Sequence, residues 1–209
     1  DLREAVVGEE KKVLCAMIHS AQAVELVKNK VKQIRLEIRQ KEYDGESHNV
    51  IAELPGKREE WIVLSAHYDT TSLSHGAYDN MSGCAGLLGI MEQMKEKERN
   101  YGLRFVFCGS EERGLLGSKA YVRDHEKELT QIVLNLNLDM IGTYMGKFIA
   151  CVSAEEKLTH YISYMAAEVG FPIAAENGVY SSDSTPFADH GVPAVSFARI
   201  ASGNVAPIH

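Results

Sequence analysis

Three short apolar runs, each closed by acids or a histidine, constrain this chain more than any other feature. WIVLSA (61–66) leads into His67-Tyr68-Asp69, LRFVFCG (103–109) into Ser110-Glu111-Glu112, and QIVLNLNLDM (131–140) carries Asp139 at its end. Near-continuous apolar runs of this length read as strands buried on both faces. Helical segments alternate with them. Ser82 to Lys97 repeats apolar residues at Ala85, Leu87, Leu88, Met91 and Met94, a helical spacing. Leu115 to Glu128 reads as a second helix, and Glu155 to Val169 as a third, stopped by Gly170 and Pro172. KFIACV (147–152) and VPAVSFA (192–198) supply further strands. This order predicts an α/β fold, a mostly parallel sheet with helices on both faces.

The start of the chain follows another pattern. Positions 13–28 read as a short strand and a helix. IRLEIR and HNVIAEL, separated by YDGES, predict a hairpin from about Val31 to Leu54, closed by Pro55-Gly56. The 209 residues suit one domain, or one domain and part of another. Lys and Arg total 22 against 29 Asp and Glu, a net charge of −7, which argues against a nucleic-acid surface. No apolar run approaches the ~20 residues of a membrane span. The cysteines at 15, 84, 108 and 151 form no CxxC pair and lie among apolar neighbours, so they read as buried, reduced thiols. Unpaired thiols lean towards a cytoplasmic compartment. A secreted origin stays open, since the chain starts at Asp1 without Met.

Ligands of open α/β sheets bind outside the carboxyl ends of the strands. His67, Asp69, Glu111, Glu112 and Asp139 all fall at such ends, and Asp79 lies just before the helix at Ser82. Each has a plainer explanation when taken singly. His67 could be a satisfied core histidine, Asp79 a helix cap, and the Glu pair a solvated surface. Asp139 follows an apolar strand, where a carboxylate needs a partner. One explanation covers the whole set: a dinuclear metal site, because imidazole nitrogen and carboxylate oxygen suit zinc and similar cations. Two cations close together need a shared carboxylate. An HxD pair supplies a ligand and an acid for its other ring nitrogen. In a Glu-Glu pair, one acid can bind metal while its neighbour acts as general base.

SAHYDT, GAYDNMSG, GSEERGLLGS and LNLDMIG, followed by SSDSTPFADHGVPAVSF and NVAPIH, resemble in order and spacing the M28 zinc-peptidase family over roughly residues 33–209. The resemblance implies a three-layer α/β/α sandwich with a mostly parallel mixed central sheet, and two zinc ions per chain. It implies that His67 and Asp139 bind one metal, Glu112 and His209 the other, and that Asp79 bridges them. Glu111 would be the general base and Asp69 would orient His67. Residues 1–30 resemble the tail of a protease-associated lid domain, with the catalytic domain over 31–209. Met81 is bulkier than the family's usual residue there. In the family the final His precedes Thr, a nearby acid and a last helix, so this chain is expected to continue past His209. His75 is placed near the pocket. His19, His48, His125, His160 and His190 lack metal-type spacing. Ser181, Ser182 and Asp183 fall in a loop the family places near substrate, with Asp183 equally readable as a cap for a short helix at Pro186.

The implied reaction removes amino-terminal residues from peptide substrates by metal-assisted hydrolysis, with no serine or cysteine nucleophile. Cys108 precedes Glu111 but has no neighbouring basic residue to activate it. Relatives that cyclise N-terminal glutamine, or act as carboxypeptidases, keep two alternatives open, and a non-catalytic binding domain is a third. A carboxypeptidase would need a cation such as Arg113 or Arg199 to clamp a terminal carboxylate.

Overall fold

The computed structural model describes residues 2–7, 11–16 and 18–200, apart from 38, 40, 42, 43, 73 and 144. The backbone forms two compact units, residues 1–45 and 46–209. In the first, β1 (Leu2–Val7) pairs antiparallel with β2 (Lys11–Ala16), and α1 (Ser20–Lys28) follows. The His19 side chain caps α1 by accepting from the Ala21 amide at 3.2 Å.

The second unit holds a seven-stranded sheet. Its strands are β3 (Val50–Leu54), β4 (Trp61–His67), β5 (Gly102–Cys108), β6 (Ile132–Leu138), β7 (Lys147–Ser153), β8 (Ala174–Asn177) and β9 (Ala194–Ile200). They lie in the order β3-β5-β4-β6-β9-β7-β8. Pairings β5–β4, β4–β6, β6–β9 and β7–β8 are parallel, while β3–β5 and β7–β9 are antiparallel. The helices are α2 (Met81–Met94), α3 (Leu116–Asp124), α4 (Glu156–Glu168) and α5 (Thr185–Asp189). Among the described residues no helix is long and apolar enough to cross a membrane.

Alternation along the central strands assigns the layers. Leu64 and Ala66 of β4 and Leu103 and Phe105 of β5 cluster with Cys84 and Leu87 of α2. Val63, Val106 and Cys108 point the other way, to Tyr121 and Val122 of α3 and Phe187 of α5. Tyr121 and Phe187 meet at a ring separation of 5.5 Å, so α3 and α5 share that face. Leu158 and Ile162 of α4 pack on Ala150, Val152 and Val195, on the α2 side through Leu136. The result is the α/β/α sandwich that the resemblance implies. One cation interrupts the apolar pattern of β5. Arg104 is buried, but it reaches Glu53 at 2.6 Å, Glu128 at 3.0 Å and the Tyr121 hydroxyl at 2.9 Å, under the Trp61 ring.

The expected hairpin from Val31 to Leu54 is a correction. Among the described residues of 31–54 only Val50–Leu54 form a strand, and residues 38, 40, 42 and 43 of the expected hairpin lie outside them. Ile34 and Leu36 alternate like a strand but stand exposed, because alternation alone makes no strand without a ladder to join. β3 finds that ladder on β5 instead. The helix read over Leu115 to Glu128 ends at Asp124 and tightens into a 3₁₀ turn over Glu126–Gln131. The short strands β1 and β8 carry too little pattern to be read from the sequence.

Candidate functional site

The chain runs from β4 through α2 to β5, then returns through α3 to β6 on the opposite side of β4. This reversal opens a crevice at the carboxyl end of β4, where α/β sheets bind ligands. The parallel register fills it. Ser65 of β4 lies opposite Asn137 of β6, which brings His67 and Asp139 together two residues on. His67 also pairs with Cys108 of β5, three residues before Glu111.

His67 is 1% exposed and its ring is surrounded by acids. Nε2 lies 3.1 Å from Asp79 Oδ1, 3.6 Å from Asp139 Oδ1 and 3.9 Å from Glu111 Oε2. On the other edge, Nδ1 donates to the main-chain oxygen of Asp69 at 3.0 Å, with the Asp69 carboxylate farther off at 3.6 Å. Nε2 is thereby left to face Asp79 and Asp139. Burial would push the imidazolium pKa down. The adjacent carboxylates of Asp139, Asp69 and Asp79 more than reverse this and hold it well above the ordinary histidine range. Burial also pushes the Glu111 carboxyl up to about 8, with His67 opposing and Asp183, Asp139 and Glu112 adding to the rise.

The loops that aim these groups are fixed by buried polar contacts. The Asp69 carboxylate accepts the amides of Glu111 at 2.9 Å and Glu112 at 3.2 Å, so it anchors the 3₁₀ turn of the acid pair. Ser110, just before that turn, and Met140, just after Asp139, sit at φ 57° and 54°. Such left-handed backbone costs a non-glycine residue about 1–3 kcal/mol and persists only where the surroundings impose it. At Met140 the imposing group is Asn80. Its Oδ1 accepts from the Met140 amide at 3.1 Å and the Gly83 amide at 3.0 Å, and its Nδ2 donates to Leu138 O at 2.9 Å. One buried side chain thus caps α2 beside Asp79 and clasps the end of β6 around Asp139. Gly109 is required by close approach: a Cβ there would meet Ser47 Oγ at 2.4 Å and His48 O at 2.7 Å.

The fit of a metal ion can be judged from the donors. One ligand atom each from His67, Asp79 and Asp139 lies within 4.8 Å of the others. Asp139 Oδ2 accepts from the Ser182 hydroxyl at 2.6 Å, while its buried Oδ1 has no hydrogen bond among the described residues. A buried carboxylate oxygen left over, beside an imidazole nitrogen and a second carboxylate, suits a divalent cation. The residues therefore fit zinc, which would take the place of the proton that the same acids favour on His67.

Of the residues expected from the sequence, His67, Asp69, Asp79, Glu111 and Asp139 come together in one cluster. Glu112 is tied to it through its amide and stands outside the tight three-residue group. His209 lies outside the described residues. Asp183 is not the cap of the short helix: it is fully buried, and Ser184 precedes the first turn of α5. Asn80 and Ser182 hold the site but were not singled out for that work by the sequence. For Asn80 the available signal was an amide at a helix start directly after a candidate ligand.

The profile of peptidase family M28 matches residues 49–209. The aminopeptidase YwaD of Bacillus subtilis is 36% identical over 148 residues, which cover 68% of this chain and 32% of that protein. The zinc aminopeptidase BSAP of Bacillus subtilis superposes with a TM-score of 0.68 at 31% identity, over 76% of this chain and 42% of that one. A glutaminyl cyclase of an Acidobacteriales bacterium superposes at 0.63 with 24% identity, over 73% of this chain and 58% of that one, a likeness of fold. The chain spans about a third of the length of YwaD and less than half that of BSAP. By its profile match, sheet order and crevice, this chain belongs to peptidase family M28.

Proposed function

We propose that the protein is a metal-dependent exopeptidase that releases amino-terminal residues from peptides, using two zinc ions and Glu111 as general base. The observation that carries this reading is the cluster of His67, Asp79 and Asp139 at the strand ends, with the Glu111 carboxylate 3.9 Å from the same imidazole. His67 and Asp139 would hold one ion, Glu112 and His209 the other, with Asp79 between them. Zinc held there supplies Lewis acidity towards a scissile carbonyl and towards water. With zinc held nearby, the Glu111 carboxyl that burial raises would ionise, and Oε2 would take a proton from water and return it to the departing amine, the amide C–N bond being exchanged for a C–O bond. Asp69 keeps Nδ1 of His67 engaged and fixes the Glu111 amide, so ligand and base share one support. The net charge of −7 and the acid-lined crevice favour an ammonium group over a carboxylate near the site.

YwaD and BSAP, both named as aminopeptidases, support the substrate class. Arg113, one candidate clamp for a carboxypeptidase, is exposed. Cys84 is pushed up to about 11 by burial and Cys108 well above its ordinary range, so neither thiol is a nucleophile at neutral pH. The test compares a free peptide, its N-acetylated form and its C-terminal amide on zinc-loaded full-length protein. Acetylation is expected to abolish cleavage and amidation to be tolerated. The reverse pattern would assign a carboxypeptidase. Cyclisation of an N-terminal Gln without cleavage, with at most one metal bound, would assign a cyclase.

A further inference from the structure

We propose that Asn137 and Ser65 are positioning residues for the metal site, through a one-way chain of hydrogen-bond donors that ends on Asp139. The proposal rests on the reading of Asp139 as a ligand. The chain runs from Asn135 to Ser65, Asn137 and Ser182, and all four are 0% exposed.

Its direction is set at the Asp139 end. A ligand carboxylate only accepts, so Ser182 commits its single proton to Asp139 Oδ2, at 2.6 Å. The Ser182 oxygen can then only accept, so Asn137 turns its amide nitrogen to it, at 2.9 Å. That turns Asn137 Oδ1 towards Ser65, whose hydroxyl donates at 2.9 Å. The Ser65 oxygen in turn accepts from Asn135 Nδ2 at 3.1 Å. Each bond removes the alternative orientation of the next group. The side groups hold the same arrangement: Asn137 Nδ2 also reaches Ser196 Oγ at 3.4 Å, and Ser196 pairs with Ser184 at 2.6 Å.

Packing does not account for these residues. On the opposite face the same strands carry Leu64, Ala66, Leu136 and Leu138, and pack against α2. Buried polar groups confer little net stability over apolar ones of the same shape, and cost more when one partner is lost. What the chain achieves is to engage Oδ2 of Asp139 and point Oδ1 at the Nε2 side of His67, 3.6 Å away. Supporting shells of this kind typically govern metal affinity by ~10–100-fold.

The experiment measures zinc affinity by chelator competition, and the visible spectrum of the cobalt(II) form, on full-length protein stripped of metal. The variants are Asn137→Leu and Ser65→Ala, with Asp139→Ala as reference and the thermal midpoint of each metal-free protein as the check on folding. Asp139→Ala is expected to lose a metal, and if it keeps full binding the ligand reading fails and the proposal with it. Asn137→Leu is expected to weaken zinc by about 10–100-fold and to alter the cobalt spectrum. Ser65→Ala, which removes one oxygen and leaves Asn137 in place, is expected to do the same by a smaller factor. Should Asn137→Leu not fold, Ser65→Ala decides alone. Wild-type affinity and spectrum in the folded variants, alongside metal loss in Asp139→Ala, overturns the proposal.

Discussion

The two faces of β4 and β6 are built from the same stretches of chain and have opposite chemistry. Under α2 the strands present Leu64, Ala66, Leu136 and Leu138, and the layer is apolar. Towards α3 and α5 the sequence of side chains changes along β4 from Val63 to Ser65 to His67, and β6 runs from Asn135 through Asn137 to Asp139. Side chains alternate across a strand, so a register that satisfies one face places the other automatically, and a slip of one residue would exchange them. The apolar face thus acts as the ruler that sets His67 and Asp139 side by side. Towards the carboxyl ends of β4 and β6, packing and polar side chains are divided by direction, although they share every backbone bond.

The largest effect should come from the crevice. Glu111→Gln keeps shape and charge-free hydrogen bonding but cannot accept the proton, and kcat should fall by ~10²–10⁴. Metal content should be unchanged, since Glu111 is assigned as base and not as ligand. Loss of zinc on this substitution, read by elemental analysis, would exchange the roles of Glu111 and Glu112.

Next comes the apolar face. Leu87 is fully buried against Leu64, Ala66 and Phe105. Leu87→Ala should cost about 2–5 kcal/mol of unfolding free energy, the range for deleting a buried leucine. Denaturant titration measures it. If the faces are separable, zinc affinity and kcat of the folded fraction should hold. A parallel loss of zinc would show that the ruler yields before the fold does.

Asn80 is where the two faces join, since it caps the helix of one and clasps the strand end of the other. Asn80→Ala strands the Gly83 and Met140 amides and the Leu138 carbonyl. The expected loss is about 1–3 kcal/mol. Unlike Leu87→Ala it should also weaken zinc, because Asp79 and Asp139 flank these contacts. A variant that loses stability alone would place Asn80 with the helix and not with the site.

The sequence made the layers legible because three apolar runs ended in chemistry, and strand direction put those ends on one side. Asp69 illustrates what stayed hidden. An HxD pair suggests a carboxylate on the imidazole, yet the nearest contact is the main-chain oxygen, and the carboxylate binds the amides of Glu111 and Glu112. Main-chain partners leave no residue type to read. Asn135 and Asn137 carry no such signal in the sequence, because their partners lie 70 and 45 residues away along the chain. The hairpin expected from IRLEIR fails for the opposite reason. Its alternation is real, but pairing depends on which edge is free, and β3 takes the edge of β5.

The smallest effect is expected at Cys108, which separates the faces by reactivity. It is fully buried on the α3 side of β5, three residues from Glu111, and it is the nearest thiol in sequence to the proposed base. Proximity alone would make it a rival nucleophile. Burial pushes its pKa well above the ordinary range, and the charge of buried Asp183 pushes it the same way, so the thiolate is scarce at neutral pH. Cys108→Ala should therefore act only through packing, at about 1 kcal/mol, the centre of the range for single substitutions. The rate per folded molecule should match wild type, and a maleimide should leave this thiol unlabelled in the native protein. A large loss of rate in folded Cys108→Ala would bring the thiol into the reaction and would remove the ground for assigning proton transfer to Glu111 alone.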